Sequence, residues 1–311
     1  MIFLTDYSVS FCRKAKYCGV QNFFSVKKMN GFLNLYKPKG VSSAHLLNKV
    51  KKIINCKCGH MGTLDPLACG VLPVGVGQAS RLFDRITADK RKKYIAEFTF
   101  GFETDTLDLE GKPVFTSEKI PSKDEIIDLL PRFLGEIAQV PPAFSAKCVD
   151  GKKSYKLARK GVVTELPPKN VMIYEYTFLG GENGVYRFEI ECGGGTYIRA
   201  LARDLGLAAG SRATMTALER TACGIFTKEN SVTLEQLEQA ENFCDLLIKS
   251  EDVLHYPRLD INAEQGQKLL NGLPGEYALE NGDYKLFCEG EFWGVAVIND
   301  RQIKVKPYVR G

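Results

Sequence analysis

The sequence has no run of 18 apolar residues, and 25% of its residues are charged, so a membrane-spanning helix is excluded. It shows no secretory signal, and its ten cysteines follow no regular spacing. We therefore expect a cytoplasmic protein with reduced thiols and no disulfide framework. Histidine is also scarce, with three residues, and no Gly-x-Ser-x-Gly segment accompanies them, which argues against a serine hydrolase.

The sequence also lacks complete motifs for binding a metal or a nucleotide. Cys56, Cys58 and His60 are possible zinc ligands, but no second pair of ligands follows at a matching spacing. The segment GVGQAS from Gly75 lacks the Gly-Lys-Ser/Thr ending of a phosphate-binding loop. We therefore predict neither a metal nor a cofactor.

The positive charge is concentrated in two parts of the chain. The net charge is +5, of which residues 1–30 contribute +4. A second cluster lies in residues 141–170, which contain seven basic and two acidic residues. These cations are Lys147, Lys152, Lys153, Lys156, Arg159, Lys160 and Lys169. This cluster is either a surface that follows RNA phosphates or an ordinary solvated helix and loop.

The apolar pattern divides the chain into three parts. Residues 1–28 show no periodicity, and we expect a disordered tail or a misplaced start, with an organellar presequence as the alternative. Residues 29–250 read as one large domain. Residues 255–311 read as a small β-rich domain with a short helix followed by strands at 277–279, 285–288, 293–298 and 303–306.

Strand and helix patterns alternate irregularly within the large domain. We predict strands at 32–36, 94–100 and 186–192 from their apolar runs and alternation. A helix is expected after Ser42 or Ser43, a second after the capping box at 122–125, and others after Gly193 and over 233–249. This mixture favours an α+β fold over a doubly wound parallel sheet.

One acid, Asp65, lies in the otherwise small and apolar stretch GHMGTLDPLACGVLP from Gly59. An aspartate before a proline is common in turns, so Asp65 by itself indicates only a turn. The wider stretch GHMGTLDPLACGVLPVGVGQASRLF resembles the catalytic segment of the TruB family of tRNA pseudouridine synthases. Four further segments resemble other motifs of that family in the same order: GFLNLYKPKGVSS, KKYIAEFTFGFETDTLDLEG, VPPAFSAKCVDGKKSYKLARKG and CGGGTYIRALARDLG.

The resemblance implies an α+β pseudouridine-synthase fold with a mixed, largely antiparallel sheet and a small PUA-like C-terminal domain. It implies an isomerase that converts the T-arm uridine at tRNA position 55 to pseudouridine on a flipped-out base, without metal or cofactor. The expected partner is the T-arm stem-loop of tRNA, with no membrane contact, no obligate protein partner and a monomeric state. Residues 141–170 correspond to a basic RNA-gripping insertion.

The motif positions also imply roles for individual residues. Asp65 is the expected catalytic carboxylate, Tyr94 stacks on the flipped uracil, Tyr197 lies beside the reacting base, and Arg199 pairs with Asp65. Further positions are expected to contact the substrate or RNA: His60, Leu218, Lys37, Lys147, Lys152, Lys153 and Lys156. Leu218 and Arg220 belong to a shorter segment that resembles the lining of the pocket. Asp105 and Asp108 are expected to shape a turn beside the site.

Two departures from the family pattern stand out. Cys148 occupies the usual position of a lysine, so that lysine's contact is lost unless Lys147 supplies it. Tyr36 stands where many members carry an aspartate, and we expect it to change the support of the pocket and leave the chemistry intact. The rival hypotheses are a non-catalytic tRNA-binding or folding protein and a guide-RNA-dependent synthase with protein partners.

Overall fold

The computed structural model of the protein describes residues 29–86, 91–144, 148–149, 152–153, 166–273 and 277–308. Within these residues the chain forms a large mixed sheet with helices packed on it, followed by a smaller sheet. None of the described helices is long and apolar enough to cross a membrane. The predicted α+β fold class is confirmed.

The described strands are, in chain order, β1 (Gly31–Lys37), β2 (Cys58–His60), β3 (Cys69–Val76), β4 (Lys92–Phe100), β5 (Phe102–Thr104), β6 (Pro113–Thr116), β7 (Gly135–Gln139), β8 (Cys148–Val149), β9 (Lys152–Lys153), β10 (Lys169–Glu182), β11 (Val185–Cys192), β12 (Ala213–Cys223), β13 (Phe226–Thr227), β14 (Arg258–Ile261), β15 (Gly282–Cys288), β16 (Glu291–Asn299) and β17 (Gln302–Tyr308). The described helices are α1 (Ser43–Ile54), α2 (Phe83–Ile86), α3 (Lys123–Leu129), α4 (Ile198–Ala208), α5 (Leu234–Gln239) and α6 (Ala263–Leu270).

The large sheet has the spatial order β1-β3-β12-β4-β11-β10-β7, with β2 paired to β3 and β13 paired to β12. Strands β3 and β12 run parallel, and the other described pairs of this sheet run antiparallel. The expectation of a mixed, largely antiparallel sheet is therefore confirmed. Strands β12, β4 and β11 lie at its centre, and β4 and β12 carry the cavity residues Tyr94 and Leu218.

Helix α1 follows the predicted sequence pattern. Ser42 is its N-cap, and the Ser42 side chain accepts a hydrogen bond from the His45 backbone N–H. The helix ends at Ile54, and its C-cap Asn55 adopts a left-handed conformation with φ 51°. Leu46, Leu47, Val50 and Ile54 form its buried face, packed in the same core cluster as residues of β1 and β3.

The core beneath the site is built by alternating residues of β4 and β11. Tyr94, Ala96, Phe98 and Phe100 of β4 are buried, as the alternation predicted. The rings of Phe98 and Phe188 lie 5.0 Å apart. Helix α4 packs close to β12 at Gly206, where a Cβ atom would lie 2.6 Å from the Ala213 backbone nitrogen. This close approach packs the C-terminal end of α4 against the start of β12.

The predicted helix over 233–249 is only partly present. Thr233 forms a capping box and starts α5, which ends at Gln239. Asn242 then caps a short 3₁₀ turn, Phe243–Leu246. The chain must be extended immediately afterwards, because Ile248 exchanges two 2.8 Å backbone hydrogen bonds with Phe32 of β1. Tertiary pairing with the sheet edge thus outweighs the local helical pattern.

The C-terminal part forms a four-stranded sheet in the order β14-β15-β16-β17, which confirms its β-rich character. The predicted strand at 277–279 is absent, since Tyr277 makes one backbone hydrogen bond, to Arg301, and no ladder. Val295 and Phe292 pack into the core cluster that contains Phe32. The C-terminal sheet is therefore joined to the large sheet by apolar contacts.

Candidate active site

The loop that carries Asp65 is anchored to the start of α1. The buried Ser43 hydroxyl accepts a hydrogen bond from the Leu64 backbone N–H at 2.9 Å and donates one to the Leu64 carbonyl at 2.8 Å. The Gly40 N–H donates to the Pro66 carbonyl at 2.8 Å. These three bonds fix the backbone on both sides of Asp65. The sequence indicated Ser43 only as a possible helix cap.

Arg199 lies in the first turn of α4 and holds four oxygen atoms. Its Nε is 3.0 Å from Asp65 Oδ2, and its Nη1 is 3.3 Å from Asp108 Oδ2. Nη1 also donates to the Thr106 carbonyl at 2.8 Å, and Nη2 donates to the Phe144 carbonyl at 3.1 Å. A guanidinium with donors in a rigid fork suits such a multiple contact. The structure thus brings together the predicted Asp65 and Arg199.

The two carboxylates on Arg199 differ in their access to the cavity. The Asp65 side chain is 36% exposed, whereas that of Asp108 is 4% exposed. Asp108 also accepts hydrogen bonds from the Thr106 hydroxyl and the Glu110 N–H, so its oxygens are occupied. Asp65 is therefore the carboxylate that can reach a substrate, and Asp108 orients the guanidinium. Sequence reasoning assigned Asp108 to a turn and missed its contact with Arg199.

A cavity of about 260 Å³ opens beside Asp65. Tyr94, Tyr197, Leu218 and Arg199 line it together with Asp65, as the sequence motifs predicted for a common pocket. Burial raises the pKa of the Tyr94 phenol, and the nearby Arg220 guanidinium partly opposes this rise. Tyr94 is therefore a neutral aromatic wall at physiological pH. The small, partly apolar cavity suits a single pyrimidine ring.

Tyr197 is held through its backbone by Gln139, a residue that sequence reasoning missed. The Tyr197 N–H donates to Gln139 Oε1 at 2.8 Å, and Gln139 Nε2 donates to the Tyr197 carbonyl at 3.2 Å. Gln139 is the buried last residue of β7. This pair of bonds fixes the entry into α4 from a strand 58 residues earlier. The sequence around Gln139 has no local pattern that predicts this contact with Tyr197.

His60 lies at the end of β2, between two adjoining cavities of about 360 and 650 Å³. The larger cavity also contains Asp65 and Arg199. Burial lowers the pKa of His60, and the Arg220 guanidinium lowers it further, so the imidazole is neutral near pH 7. A neutral ring suits the predicted stacking or hydrogen-bonding contact with a nucleotide.

The structure buries the Lys37 side chain, which is 0% exposed. Its Nζ donates to the carbonyls of Pro38 and Val41 at 2.9 and 2.6 Å. This geometry favours a role in shaping the loop before α1 over the predicted RNA contact, because the ammonium group faces backbone oxygens and not solvent. Lys147 and Lys156 lie outside the described residues. Lys152 and Lys153 belong to the short strand β9, which pairs with β8 at Cys148.

Lys37 gives a first prediction, on stability. Burial lowers the pKa of Lys37 to about 8. The unfolded chain, in which the pKa is near the ordinary value of about 10.4, therefore binds more protons between pH 8 and 10. Relative to the Lys37→Met variant, the wild-type free energy of unfolding is expected to rise by about 2–3 kcal/mol over this interval. Urea unfolding at pH 7, 8.5 and 10 measures it, and a constant difference between the two proteins would contradict it.

Tyr36 of β1 contacts Glu219 of β12, the strand on the other side of β3. Its hydroxyl donates to Glu219 Oε1 at 2.8 Å, and Lys228 Nζ lies 2.7 Å from the same oxygen. Burial raises the pKa of Glu219, but the bonds from Lys228 and Tyr36 outweigh it and lower the pKa overall. Tyr36, which stands where many family members carry an aspartate, thus links β1 to β12, the strand that carries Leu218.

Comparisons with known proteins agree with this geometry. A family model described as TruB family pseudouridylate synthase (N terminal domain) matches residues 49–198. A second, described as tRNA pseudouridylate synthase B C-terminal domain, matches residues 199–255. The tRNA pseudouridine synthase B of Clostridium novyi (strain NT) is 39% identical over 287 residues, which cover 89% of this chain and 99% of that protein. The enzyme of the same name from Anaplasma marginale (strain St. Maries) is 41% identical over 276 residues, covering 83% and 90%.

Solved structures show the same fold. A chain of the archaeal box H/ACA sRNP Nop10-Cbf5 complex matches 90% of this chain and 85% of its own length, with a TM-score of 0.64 and 22% identity. A chain of a Cbf5-Nop10-Gar1 complex matches 90% and 82%, with a TM-score of 0.63 and 25% identity. The fold of this chain and its cavity around the aspartate–arginine pair are those of a pseudouridine synthase. Within that class, the chain belongs to the TruB family.

Proposed function

We propose that the protein isomerises a uridine of the tRNA T arm, at position 55, to pseudouridine, and that Asp65 is its catalytic carboxylate. The observation that carries this proposal is the ion pair of Asp65 with the buried Arg199 at the mouth of a cavity lined by Tyr94, Tyr197 and Leu218. The relatives named tRNA pseudouridine synthase B support tRNA as the substrate.

The reaction requires the uridine to leave the RNA stack, at a cost of roughly a few kcal/mol. Tyr94 offers a rigid aromatic face for the extruded base, and His60 stands at the neighbouring cavity where the displaced loop would lie. Contacts of this kind offset the cost of flipping. Leu218 closes the cavity with an apolar side chain, which limits water around the reacting ring.

The isomerisation exchanges one bond to the sugar for another. The C1′–N1 bond breaks, the uracil turns, and a C1′–C5 bond forms; C5 then loses its proton and N1 gains one. Asp65 serves either as a nucleophile towards the substrate or as a base that starts an elimination at the sugar. Both roles need a carboxylate in its ionised form, and the Arg199 guanidinium forms an ion pair with it at 3.0 Å.

We also propose that residues 29–250 form the catalytic domain and 255–311 a small PUA-like RNA-binding domain. On this proposal the protein works on tRNA in the cytoplasm as a monomer, with no obligate protein partner. A guide-dependent synthase would need added components. Purified protein with bare tRNA therefore separates the two hypotheses.

Tritium release tests the function. The purified protein is incubated with a T-arm stem-loop tritiated at C5 of the target uracil, without added metal or nucleotide. We expect one tritium released per stem-loop, and none from a matched stem-loop tritiated at a different loop uridine. No release from folded protein, on the stem-loop or on full-length tRNA, would favour a non-catalytic tRNA-binding protein.

The basic insertion gives a prediction on binding. Replacing Lys152, Lys153 and Lys156 together by glutamine is expected to reduce the slope of log affinity against log salt by about two to three, because each lost phosphate contact removes about one. Fluorescence anisotropy with labelled tRNA at several salt concentrations measures the slope. Replacing the exposed cations Lys119, Lys123 and Arg132 around α3 is the matched control. An equal slope in wild type and the insertion variant would refute the RNA-gripping role.

A further inference from the structure

Arg220, in the central strand β12, is the largest of the fully buried side chains, with 0% exposure. Its backbone lies tightly against β3 at Gly70, which has φ 107° and where a Cβ atom would lie 2.2 Å from the Arg220 carbonyl oxygen. Strand β12, which carries Arg220, lies between β3 and β4, and β4 carries the cavity residue Tyr94. A residue so placed cannot contact solvent.

The guanidinium is held by carbonyl groups and has no carboxylate partner within the described residues. Nε donates to the Val71 carbonyl at 2.7 Å, and Nη2 donates to the Gly62 carbonyl at 3.2 Å. Nη1 has no hydrogen-bond partner in the described part of the chain. Buried charges are normally paired, as Arg199 is with two carboxylates, because an uncompensated buried charge is costly. The charge of Arg220 is therefore not offset by a carboxylate in the described part of the chain, and it acts on the groups packed around it.

The charge of Arg220 lies next to the base cavity. Arg220 pairs in register with Tyr94 of β4. Burial raises the pKa of Tyr94, and the charge of the Arg220 guanidinium and its hydrogen-bonding contact with the Tyr94 side chain oppose this rise. A second cation is close by. The position that a Cβ atom of Gly62 would occupy is 3.5 Å from Arg220 Nη1 and 3.3 Å from Lys92 Nζ. Lys92 and Tyr94 both line the cavity, so positive charge is concentrated behind and beside the tyrosine.

The proposed reaction creates a negative charge at this place. When the C1′–N1 bond breaks, both of its electrons stay on N1 and are delocalised over O2 and O4 of the detached uracil. The charge disappears when C5 bonds to C1′, the C5 proton leaves and N1 is protonated. Fixed positive charge aimed at a site of developing negative charge is an effective form of catalysis, since it needs no reorganisation during the reaction.

We infer that Arg220 is a positioning residue whose buried charge, acting through the Tyr94 wall, stabilises the detached uracil anion. This inference rests on the proposed function. The alternative is that Arg220 only ties β12 to Val71 and Gly62. Two variants distinguish these roles. Arg220→Lys keeps the positive charge and loses the several N–H donors of the guanidinium, whereas Arg220→Gln keeps an N–H donor and loses the charge.

The first measurement is single-turnover tritium release. We expect Arg220→Gln to slow release by about 10²- to 10³-fold, the range found when one electrostatic donor is removed. Arg220→Lys is expected to retain most of the rate, and both variants to bind the uridine stem-loop like wild type. A purely structural role predicts instead that the rates follow the melting temperatures of the variants, and equal rates in the two variants would overturn the inference.

The second measurement needs no turnover. A stem-loop with 6-azauridine at the target position carries a ring that ionises near neutral pH, unlike uridine. The wild-type affinity for this stem-loop, relative to the uridine stem-loop, is expected to rise with pH through that ionisation. Arg220→Lys should keep the rise and Arg220→Gln should lose it. A wild-type affinity that stays constant or falls would overturn the inference whatever the variants do.

These results also distinguish this inference from the proposed function. Absence of tritium release from wild type counts against the proposed function, whether or not the ionised ring is preferred. Release by wild type without preference for the ionised ring counts against the role of Arg220 alone.

Discussion

The Asp65→Asn variant is expected to lose tritium release by at least about 10⁴-fold, which corresponds to a rise of about 5 kcal/mol in the activation barrier. Asparagine has the size of aspartate, so the loop held by Ser43 keeps its shape. It has no negative charge, so it can act neither as nucleophile nor as base. Single-turnover release from the tritiated stem-loop measures the effect, and anisotropy is expected to show unchanged binding.

The matched control is Asp105→Asn. Asp105 lines the larger cavity together with Asp65, but it is exposed and accepts the Lys112 N–H, with no contact to Arg199. We expect this variant to keep wild-type activity. Turnover by Asp65→Asn together with its loss in Asp105→Asn would assign the chemistry to a different acid. The stability of Asp65→Asn is expected to change by less than about 1 kcal/mol, because Asp65 is partly exposed.

Arg199→Gln is expected to have the second largest effect, on both activity and stability. The change removes the partner of Asp65 and leaves the buried Asp108 carboxylate without its cation. Breaking a buried ion pair in this way costs about 3–5 kcal/mol of unfolding free energy. Turnover is expected to fall by about 10²- to 10³-fold. Urea unfolding and single-turnover tritium release measure the two effects separately, with tRNA binding largely retained.

A double variant separates the two roles of Arg199. In Arg199→Gln with Asp108→Asn no unpaired buried carboxylate remains, so most of the lost stability is expected to return. Activity is not expected to return, because Asp65 still lacks its guanidinium. Loss of tRNA binding in Arg199→Gln would make Arg199 a phosphate contact. Recovery of activity together with stability would show that Arg199 only supports the fold.

Local sequence signals predicted many elements correctly. Ser42 and the 122–125 capping box start α1 and α3 at the expected positions, and alternation predicted β4 and β11 with their buried faces. The prediction for 233–249 was wrong after Gln239, because Ile248 pairs with Phe32 more than 200 residues earlier in the chain. A pattern within a window of 17 residues carries no information about that pairing.

The candidate site shows the same division. Motifs selected Asp65, Tyr94, Tyr197 and Arg199, and the structure brings all four to one cavity. Their supporting residues were missed: Asp108 and Gln139 act on residues 91 and 58 positions away, and Ser43 acts across 21. Such partners are polar groups with no local pattern of their own. Only their position in the folded chain shows what they bind.

The sequence by itself predicted the family, the α+β class and four residues that the structure brings to one cavity, because apolar periodicity, capping residues and ordered motifs are local properties of the chain. Tertiary structure alone decided that Asp108 holds Arg199, that Lys37 is buried, and that Arg220 has no carboxylate partner among the described residues. The physical reason is that burial and electrostatic pairing depend on distances between segments far apart in sequence. Those distances exist only once β3, β12 and β4 have come together.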